Sequence, residues 1–525
     1  MTDAWKDYGK ALSLSNLLYL RVWSELTTYT AADAHFMNPL PTPVNYYALM
    51  SNVLALSVVL WCGITWARRE PTGRALRLAK WAFLLVLVVQ LNAIREVASR
   101  WFPYLRGPLF KLVGTGGVVA LACVAVLAAV VMVVRWPDRI IAGAVFVVVI
   151  LEPFVAMTFF RAGRFIWQYD GGPYQDLPTK AFQGPEGAGG NRRVVWVIFD
   201  ELDQRLSFTE RPASVELPEF DRLRAEALYA TNAYSPSGST ASSLPSLITG
   251  RLVVKYEPDG PHDARLTLRG KTEAASWRTL PSAFSRARAL GFHTGLVGWY
   301  LPYCRILSGD LNTCWWTPLI AQYNSMGSTF GEIFRHQPRS LVETSLFSPF
   351  GQSLSTVARI AAYRSLFGAA LPVATDRRLG LTLVHFQPPH GPHTYNRFQK
   401  QFTLSNSPVA GYLDSMALAD RTLGELRAAL ENVGLWDATT VLVSSDHWFR
   451  SSMALDGKLD RRIPFLLKLA GQRQGQEYGK AFNTIGSGDL LLAVLRGDIA
   501  DATGAAHWLD AHPSYRSDPY IMNEN

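Results

Sequence analysis

Three short stretches of this chain carry residues that together could activate a hydroxyl group. One is the small-residue turn Gly238-Ser239-Thr240-Ala241-Ser242-Ser243-Leu244-Pro245, another an acidic strand end at Asp200, and the third the pair Asp446-His447. A threonine hydroxyl is a poor nucleophile at neutral pH until a metal lowers its pKa, and two carboxylates with an imidazole can hold such a metal. Attack on a phosphate or sulfate ester is the chemistry this implies. Thr240 in a Gly-Ser-rich turn would also serve as the N-cap of a helix running from Ala241, where the helix dipole favours developing negative charge. Ser243 is the rival nucleophile.

The elements that position these residues are readable from apolar runs. Val194-Val195-Trp196-Val197-Ile198-Phe199 is a continuous, β-branched stretch, as expected of a strand buried on both faces of a parallel sheet, and it ends at Asp200. A second run, Gly380 to Phe386, carries His385 and leads through Gln387-Pro388-Pro389 to His390. A third, Thr439 to Ser445, delivers Asp446-His447 after a helical stretch from Tyr412 to Val433. Strand, acidic or histidine tip, helix and strand repeat as in open α/β sheets, whose ligands collect at the carboxyl ends of the strands.

In this order, Asp200, Thr240-Ala241-Ser242-Ser243-Leu244-Pro245, His390-Gly391-Pro392 and Ser445-Asp446-His447 resemble the sulfatase-like branch of the alkaline phosphatase superfamily, most closely its membrane-anchored phosphoethanolamine and glycerophosphate transferases. The resemblance covers residues 193 to about 495 and implies an α/β/α sandwich. It makes Thr240 the nucleophile that takes a phosphoryl-linked group covalently, and Asp200, Asp446, His447 and the Thr240 oxygen the metal shell. His390 would bind the phosphate or protonate the leaving group. Glu201, Ser243, His385, His393 and Lys458 are supporting candidates. Two carboxylates and one imidazole suit a single divalent ion, Zn²⁺ or Mn²⁺ rather than Ca²⁺.

Departures from the family pattern bear on the choice within it. Leu247 stands where formylglycine sulfatases carry an arginine, and Gly298-Trp299-Tyr300 lacks the lysine and histidine of their Gly-Lys-Trp-His segment. Both absences count against formylglycine-dependent sulfate hydrolysis. On the transferase side, Trp448 follows Asp446-His447 where glycine is usual, and no histidine follows before Leu469. Lys458, Arg461 or Arg462 would have to supply the missing positive charge.

The first third of the chain is different in kind. Tyr46 to Trp66, Trp81 to Ile94, Phe110 to Val134 and Ile140 to Phe160 are rich in Leu, Val, Ala and Phe; three of them approach or exceed the roughly 20 residues that cross a bilayer, and the second is shorter and would need Arg77, Lys80 and Arg95 at its flanks to snorkel. Ala11 to Tyr29 is a fifth candidate, weakened by Arg21 and Glu25. Arg68, Arg69, Arg74, Arg77 and Lys80 gather after the Tyr46 segment, whereas 31–45 before it has no Lys or Arg. By the positive-inside rule the basic loop is cytoplasmic, which places everything after Phe160 outside. A polar N-terminus and an interrupted first apolar stretch argue against a cleavable signal peptide. The net charge of +9 is explained by membrane-flanking Lys and Arg near anionic head groups, not by nucleic acid. Of the four cysteines, Cys62 and Cys123 fall in apolar segments, while Cys304 and Cys314 could form a disulfide in an oxidising compartment.

The expected organisation is a transmembrane domain of four to five helices over 1–165, a linker over 166–192 and a sulfatase-like catalytic domain over 193–500, with a tail over 501–525. The expected function is a multi-pass enzyme of the inner (cytoplasmic) membrane, with a periplasmic or extracellular catalytic domain. It would move a phospho-head-group from a membrane lipid donor to an envelope glycan or lipid acceptor. A sulfatase-like hydrolase of sulfuric or phosphoric esters is the alternative enzyme, and a degenerate membrane sensor or scaffold the non-enzymatic one.

Overall fold

A computed structural model describes residues 3–27, 41–69, 73–74, 77–84, 124, 127–128, 131–169, 178–182, 191–260, 262–318, 329–338, 341, 351–404, 406–407 and 409–513. The chain divides into two units: Met1–Thr30, Leu40–Gly172 and Ala321–Leu354 form one, and Ala31–Pro39, Pro173–Ile320 and Ser355–Asn525 the other.

The larger unit is built on a nine-stranded mixed sheet. Its strands are β1 (Arg193–Asp200), β2 (Leu228–Tyr234), β3 (His293–Tyr300), β4 (Thr313–Pro318), β5 (Leu379–Pro389), β6 (Thr439–Ser445), β7 (Arg462–Lys468), β8 (Gln476–Tyr478) and β9 (Phe482–Asn483). They lie in the order β8-β2-β7-β6-β1-β5-β3-β4, with β9 also on β2. β1 is central and parallel to both β6 and β5, and β7 pairs antiparallel with β6 and β2. Every residue of β1 is buried, because both faces are covered. Val194, Trp196 and Ile198 pack in one core with Leu244, Phe284 and Leu491; Val195, Val197 and Phe199 pack in the other with Phe220, Leu366 and Met416. The alternation follows from the two-residue period of a strand. The expected α/β sandwich is therefore present, with helices on both faces of the sheet.

Two details differ from the sequence expectations in this unit. The helix at the small-residue turn spans Thr240–Thr249, so Ser239 is the N-cap and Thr240 the first helical residue. Within the expected tail, Ala502–Ala511 is a helix whose N-cap Asp501 accepts from Gly504 N, and Ala505, Ala506 and Leu509 join the core. Those apolar positions recur at helical spacing and need a partner surface, which makes this segment part of the domain. Residues 514–525 lie outside the described residues.

The smaller unit contains the helices Asp3–Leu18, Leu20–Thr27, Pro43–Arg69, Pro137–Ile150 and Glu152–Gln168. Tyr19, Trp23, Tyr46, Leu49, Val53 and Ala162 form its core. Among the described residues only Pro43–Arg69 is long and apolar enough by itself to cross a membrane, and Pro137–Ile150 with Glu152–Gln168 passes as a pair bent by 40°. The expected spans Trp81–Ile94 and Phe110–Val134 fall largely outside the described residues, as does the glycine-rich stretch 183–190. The fifth candidate is two helices broken at Tyr19. Unexpectedly, the helix Phe330–His336 belongs here and not to the larger unit. Asn52 Nδ2 donates to Gln337 Oε1 at 3.0 Å and to Phe334 O at 3.1 Å, and Gln337 Nε2 donates to Asn45 O at 3.1 Å. These amide bonds satisfy polar groups that would be costly to bury alone.

Candidate active site

The site begins where β1 ends. The register between β1 and β5 shifts after Phe199, and the residue following Asp200, Glu201, takes the left-handed conformation at φ 65°. A non-glycine residue there costs about 1–3 kcal/mol and needs external support. Tyr412 supplies it: its hydroxyl donates to Glu201 O at 2.7 Å and accepts from Asp203 N at 3.0 Å. Tyr412 is itself fixed by stacking on Phe449, with ring centroids 3.6 Å apart. Ser445 Oγ accepts from Leu202 N at 2.8 Å, joining the turn to the end of β6.

Immediately beyond β6, Asp446 Oδ1 accepts from His447 N at 2.7 Å and Glu201 N at 3.1 Å. That fixes the carboxylate and leaves Oδ2 buried without a hydrogen-bond partner; Asp200 Oδ1 is in the same condition. His447 Nδ1 lies 2.9 Å from Trp448 O, which places its proton on Nδ1 and the lone pair on Nε2. Nε2 is 3.5 Å from both Asp200 Oδ1 and Asp446 Oδ2 and 3.3 Å from Thr240 Oγ1. Thr240 Oγ1 donates to Asp200 Oδ2 at 3.5 Å. The rival hydroxyl of Ser243 is fully buried and donates to Asp446 O at 2.5 Å.

Burial and the neighbouring charges of Asp446 and Glu201 push the Asp200 carboxyl well above the ordinary carboxylate range. Asp446 is held below that range: burial opposes ionisation, and the fields of His447 and His385 overcome it. Two buried carboxylates with orphaned oxygens and an imidazole lone pair form a pocket of negative potential that a divalent cation would neutralise. The ligand atoms of Asp200, Asp446 and His447 lie within 4.8 Å of one another, so the residues fit such an ion.

The remaining candidates are distributed around this cluster in different ways. His390 is partly buried, with Nδ1 2.6 Å from Gly391 O and its ring edge-on to Trp299 at 5.5 Å. Burial and then the Arg359 charge push its pKa down to about 3, so at neutral pH the ring forms hydrogen bonds as an uncharged imidazole and has no imidazolium proton to deliver. His385 lies opposite Ile198 of β1 and is fully buried, with Nδ1 3.0 Å from Tyr303 OH. His393 Nδ1 is 3.0 Å from Ser415 Oγ, and Glu201 Oε1 accepts from Arg450 Nε at 2.9 Å. Lys458 is exposed and pairs with Glu210 at 2.7 Å, while Arg462 pairs with Asp460 at 2.6 Å. Their charges are committed to those carboxylates. The cations whose fields act on Asp200 are Arg359 and Arg450. The sequence reading passed over both, since neither belongs to a motif.

Residues 369–486 match the family model described as sulfatase, a stretch that contains Asp446 and His447 but neither Asp200 nor Thr240. Similar solved structures include the phosphonate monoester hydrolase of Agrobacterium radiobacter, 16% identical over 58% of this chain and 74% of that one, with a TM-score of 0.41. A sulfatase from Pseudoalteromonas sp. is 16% identical over 59% and 68%, with a TM-score of 0.42. The lipoteichoic acid synthase of Listeria monocytogenes is 15% identical over 60% and 75%, with a TM-score of 0.39. No curated protein matches the sequence.

Proposed function

We propose that this chain, an enzyme of the sulfatase-like branch of the alkaline phosphatase superfamily, is a membrane-anchored transferase that moves a phospho-head-group from a lipid to an envelope glycan or lipid. The observation that carries the reading is the place of Thr240. Its hydroxyl faces the side-chain atoms of the Asp200, Asp446 and His447 cluster, at 3.3 Å from His447 Nε2 and 3.5 Å from Asp200 Oδ2, at the start of a ten-residue helix. A helix start favours an anion by about 0.3–1 kcal/mol.

Asp200, Asp446, His447 and the Thr240 oxygen would hold one divalent ion, Zn²⁺ or Mn²⁺ by donor type, which would lower the pKa of the Thr240 hydroxyl and offset charge on the phosphoryl oxygens. In the first half-reaction Thr240 Oγ1 forms a bond to phosphorus as the bond to the diacylglycerol oxygen breaks, and the threonine proton passes through Asp200 to that departing oxygen. In the second, an acceptor hydroxyl attacks the same phosphorus, the bond to Thr240 breaks, and the acceptor's proton returns to Thr240. The net change is the transfer of one phosphodiester, with no redox step.

The anchor is the apolar helix Pro43–Arg69, which ends in Arg68 and Arg69 and exposes Leu54, Val58, Val59 and Trp66. With the remaining apolar segments it would hold the enzyme as a multi-pass protein of the cytoplasmic membrane, the globular part outside. The disulfide between Cys304 and Cys314 accords with an oxidising compartment. An enzyme drawing its donor from the bilayer gains a high local concentration of that lipid, whereas a hydrolase of soluble esters gains little.

The decisive experiment incubates the purified full-length protein with head-group-labelled phospholipids and examines Thr240 by mass spectrometry. Labelled Thr240 with release of diacylglycerol is expected. Cleavage of aryl phosphate or aryl sulfate alone, with no label on Thr240 or an acceptor, would replace the transferase by the hydrolase.

A further inference from the structure

Asp200 and His447 belong to different strand ends, and their spacing depends on how the two segments that leave those ends are held together. Beyond Asp200 the chain runs through Glu201, Leu202 and Asp203 into the π-helical turn Arg205–Thr209. Asp203 Oδ1 accepts from Leu206 N at 2.8 Å, which fastens the start of that turn. Such wide turns are rare and recur at functional sites. Beyond His447 the chain runs through Trp448, Phe449 and Arg450 into the helix Ser452–Asp456. Five residues are too few for a helix to persist without tertiary contacts. Leu455 packs against the core, whereas Met453 is exposed.

Arg205 ties the two segments together. It is 4% exposed, and its guanidinium grips both carboxylate oxygens of Asp456: Nη1 donates to Oδ2 at 2.6 Å and Nη2 to Oδ1 at 3.1 Å. Nη1 also donates to Glu210 Oε2 at 3.2 Å, and the same oxygen accepts from Lys458 Nζ at 2.7 Å. The Arg205 fork holds the Asp456 carboxyl below the usual carboxylate range. Forked pairing fixes direction as well as distance. Within the loop that it closes, Phe449 lies flat on Tyr412 and Arg450 Nε donates to Glu201 Oε1 at 2.9 Å. The Arg450 charge interacts in turn with Asp200 and Asp446. Arg205 and Asp456 are 251 residues apart in sequence, so the pair exists only in the fold.

We infer that Arg205 is a positioning residue: its fork on Asp456 closes the segment 447–456 onto the turn after Asp200, and so sets the spacing of Asp200, Asp446 and His447 and the place of Arg450 beside them. The ion at that spacing rests on the proposed reading; the order of the loop does not. Removing Asp456 takes away the bidentate partner of a buried guanidinium and unfastens the last residue of the helix Ser452–Asp456. A lysine at position 205 keeps the charge but has no planar fork with which to hold both oxygens.

The test uses the full-length protein and two readouts that need no turnover: amide hydrogen exchange of the metal-free form, and Zn²⁺ affinity measured by competition with a chelator. In Arg205→Gln and Asp456→Asn, exchange over 447–456 and 201–203 should rise by about tenfold with β1 and β6 still protected, and Zn²⁺ binding should weaken by about tenfold. Arg205→Lys should recover part of both losses. Asp456 is partly exposed and asparagine has its shape, so Asp456→Asn decides the matter if Arg205→Gln does not fold. Unchanged exchange over 447–456 would overturn the inference. So would exchange raised evenly across the sheet, because the pair would then contribute stability alone, and so would local exchange raised with Zn²⁺ affinity intact. A wild type that takes up neither Zn²⁺ nor Mn²⁺ would sink the metal shell of the proposed reading, and the exchange over 447–456 would still decide whether Arg205 orders the loop.

Discussion

The indole of Trp448 lies directly on Gly238: a Cβ on Gly238 would come within 2.6 Å of the indole Cη2 and 2.8 Å of Cζ2. Trp448 also accepts, through its backbone carbonyl, the Nδ1 proton of His447 at 2.9 Å. One residue therefore touches both the turn that carries Thr240 and the imidazole that faces it. This gives a physical reason for a tryptophan at position 448 and for a glycine two residues before Thr240. In Gly238→Ala the ring or the turn has to withdraw by about 1 Å, a displacement that costs on the order of 100-fold in rate when it reaches a reacting group. Turnover should fall by about that factor with metal content retained. Gly238→Ala combined with Trp448→Leu should lose much less than the sum of the single changes, since the clash is removed. Additive losses would show that the contact does not position Thr240.

The two hydroxyls of the turn should separate cleanly. Thr240→Ala removes the group next to His447 Nε2 and should abolish labelling and turnover in a folded, metal-binding protein. Ser243→Ala instead removes a buried hydrogen bond to Asp446 O, and should cost about 1–2 kcal/mol of stability with a smaller effect on rate. Melting temperature and initial rate measured on both variants decide the matter. Loss of labelling in Ser243→Ala with Thr240→Ala still active would move the nucleophile.

Metal removal should have a pH signature. Without a cation, Asp200 has a folded-state pKa raised by burial and by Asp446, so its contribution to stability is present at low pH and is lost as pH rises through that raised value. A bound divalent ion offsets the charge that causes the loss. The difference in melting temperature between metal-loaded and chelated protein should therefore widen from acid toward neutral pH. Asp200→Asn and His447→Ala should lower metal content and activity together. Full metal content in either variant would remove that residue from the shell.

What the sequence made legible follows from how local each signal is. The apolar run ending at Asp200, the turn at Thr240 and the Ser445-Asp446-His447 triplet are each continuous in sequence, and the parallel pairing of β1 with β6 brings the first and third together. Arg359 was invisible because its partners are His390, Gly391 and Trp299, all from other elements. Tyr412 looked like one more apolar position on a helix, and its hydroxyl acquires meaning only opposite Glu201 O and Asp203 N. The amide pair Asn52 and Gln337 is separated by 285 residues, so nothing local marked the helix Phe330–His336 as belonging with the N-terminal helices. The helix Ala502–Ala511 lay beyond the stretch that the family resemblance covered and was expected as a tail; its apolar positions take their meaning from the core they join.

Asp420 provides a test of the fold that is independent of the metal. It lies on the helix Gly411–Asn432, is 4% exposed, and its Oδ1 accepts from Phe220 N at 2.8 Å in the first turn of the helix Pro218–Glu226. Burial raises its pKa to about 7; the bonds from Phe220 and Glu219 backbone N–H groups oppose that rise, and the charges of Glu219 and Asp221 add to it. An unfolded aspartate titrates near 3.9, so the folded state binds the proton more tightly. Its favourable contribution is complete below about pH 4 and declines until the pH passes about 7, a change on the order of 4 kcal/mol at most. Asp420→Asn keeps an acceptor for one N–H group but cannot titrate. The wild type should lose melting temperature relative to Asp420→Asn as the pH is raised from 4.5 to 8, and the difference should level off above pH 8. Parallel curves for the two proteins over that range would show that the Asp420 carboxyl is ionised throughout, compensated by the helix start it faces.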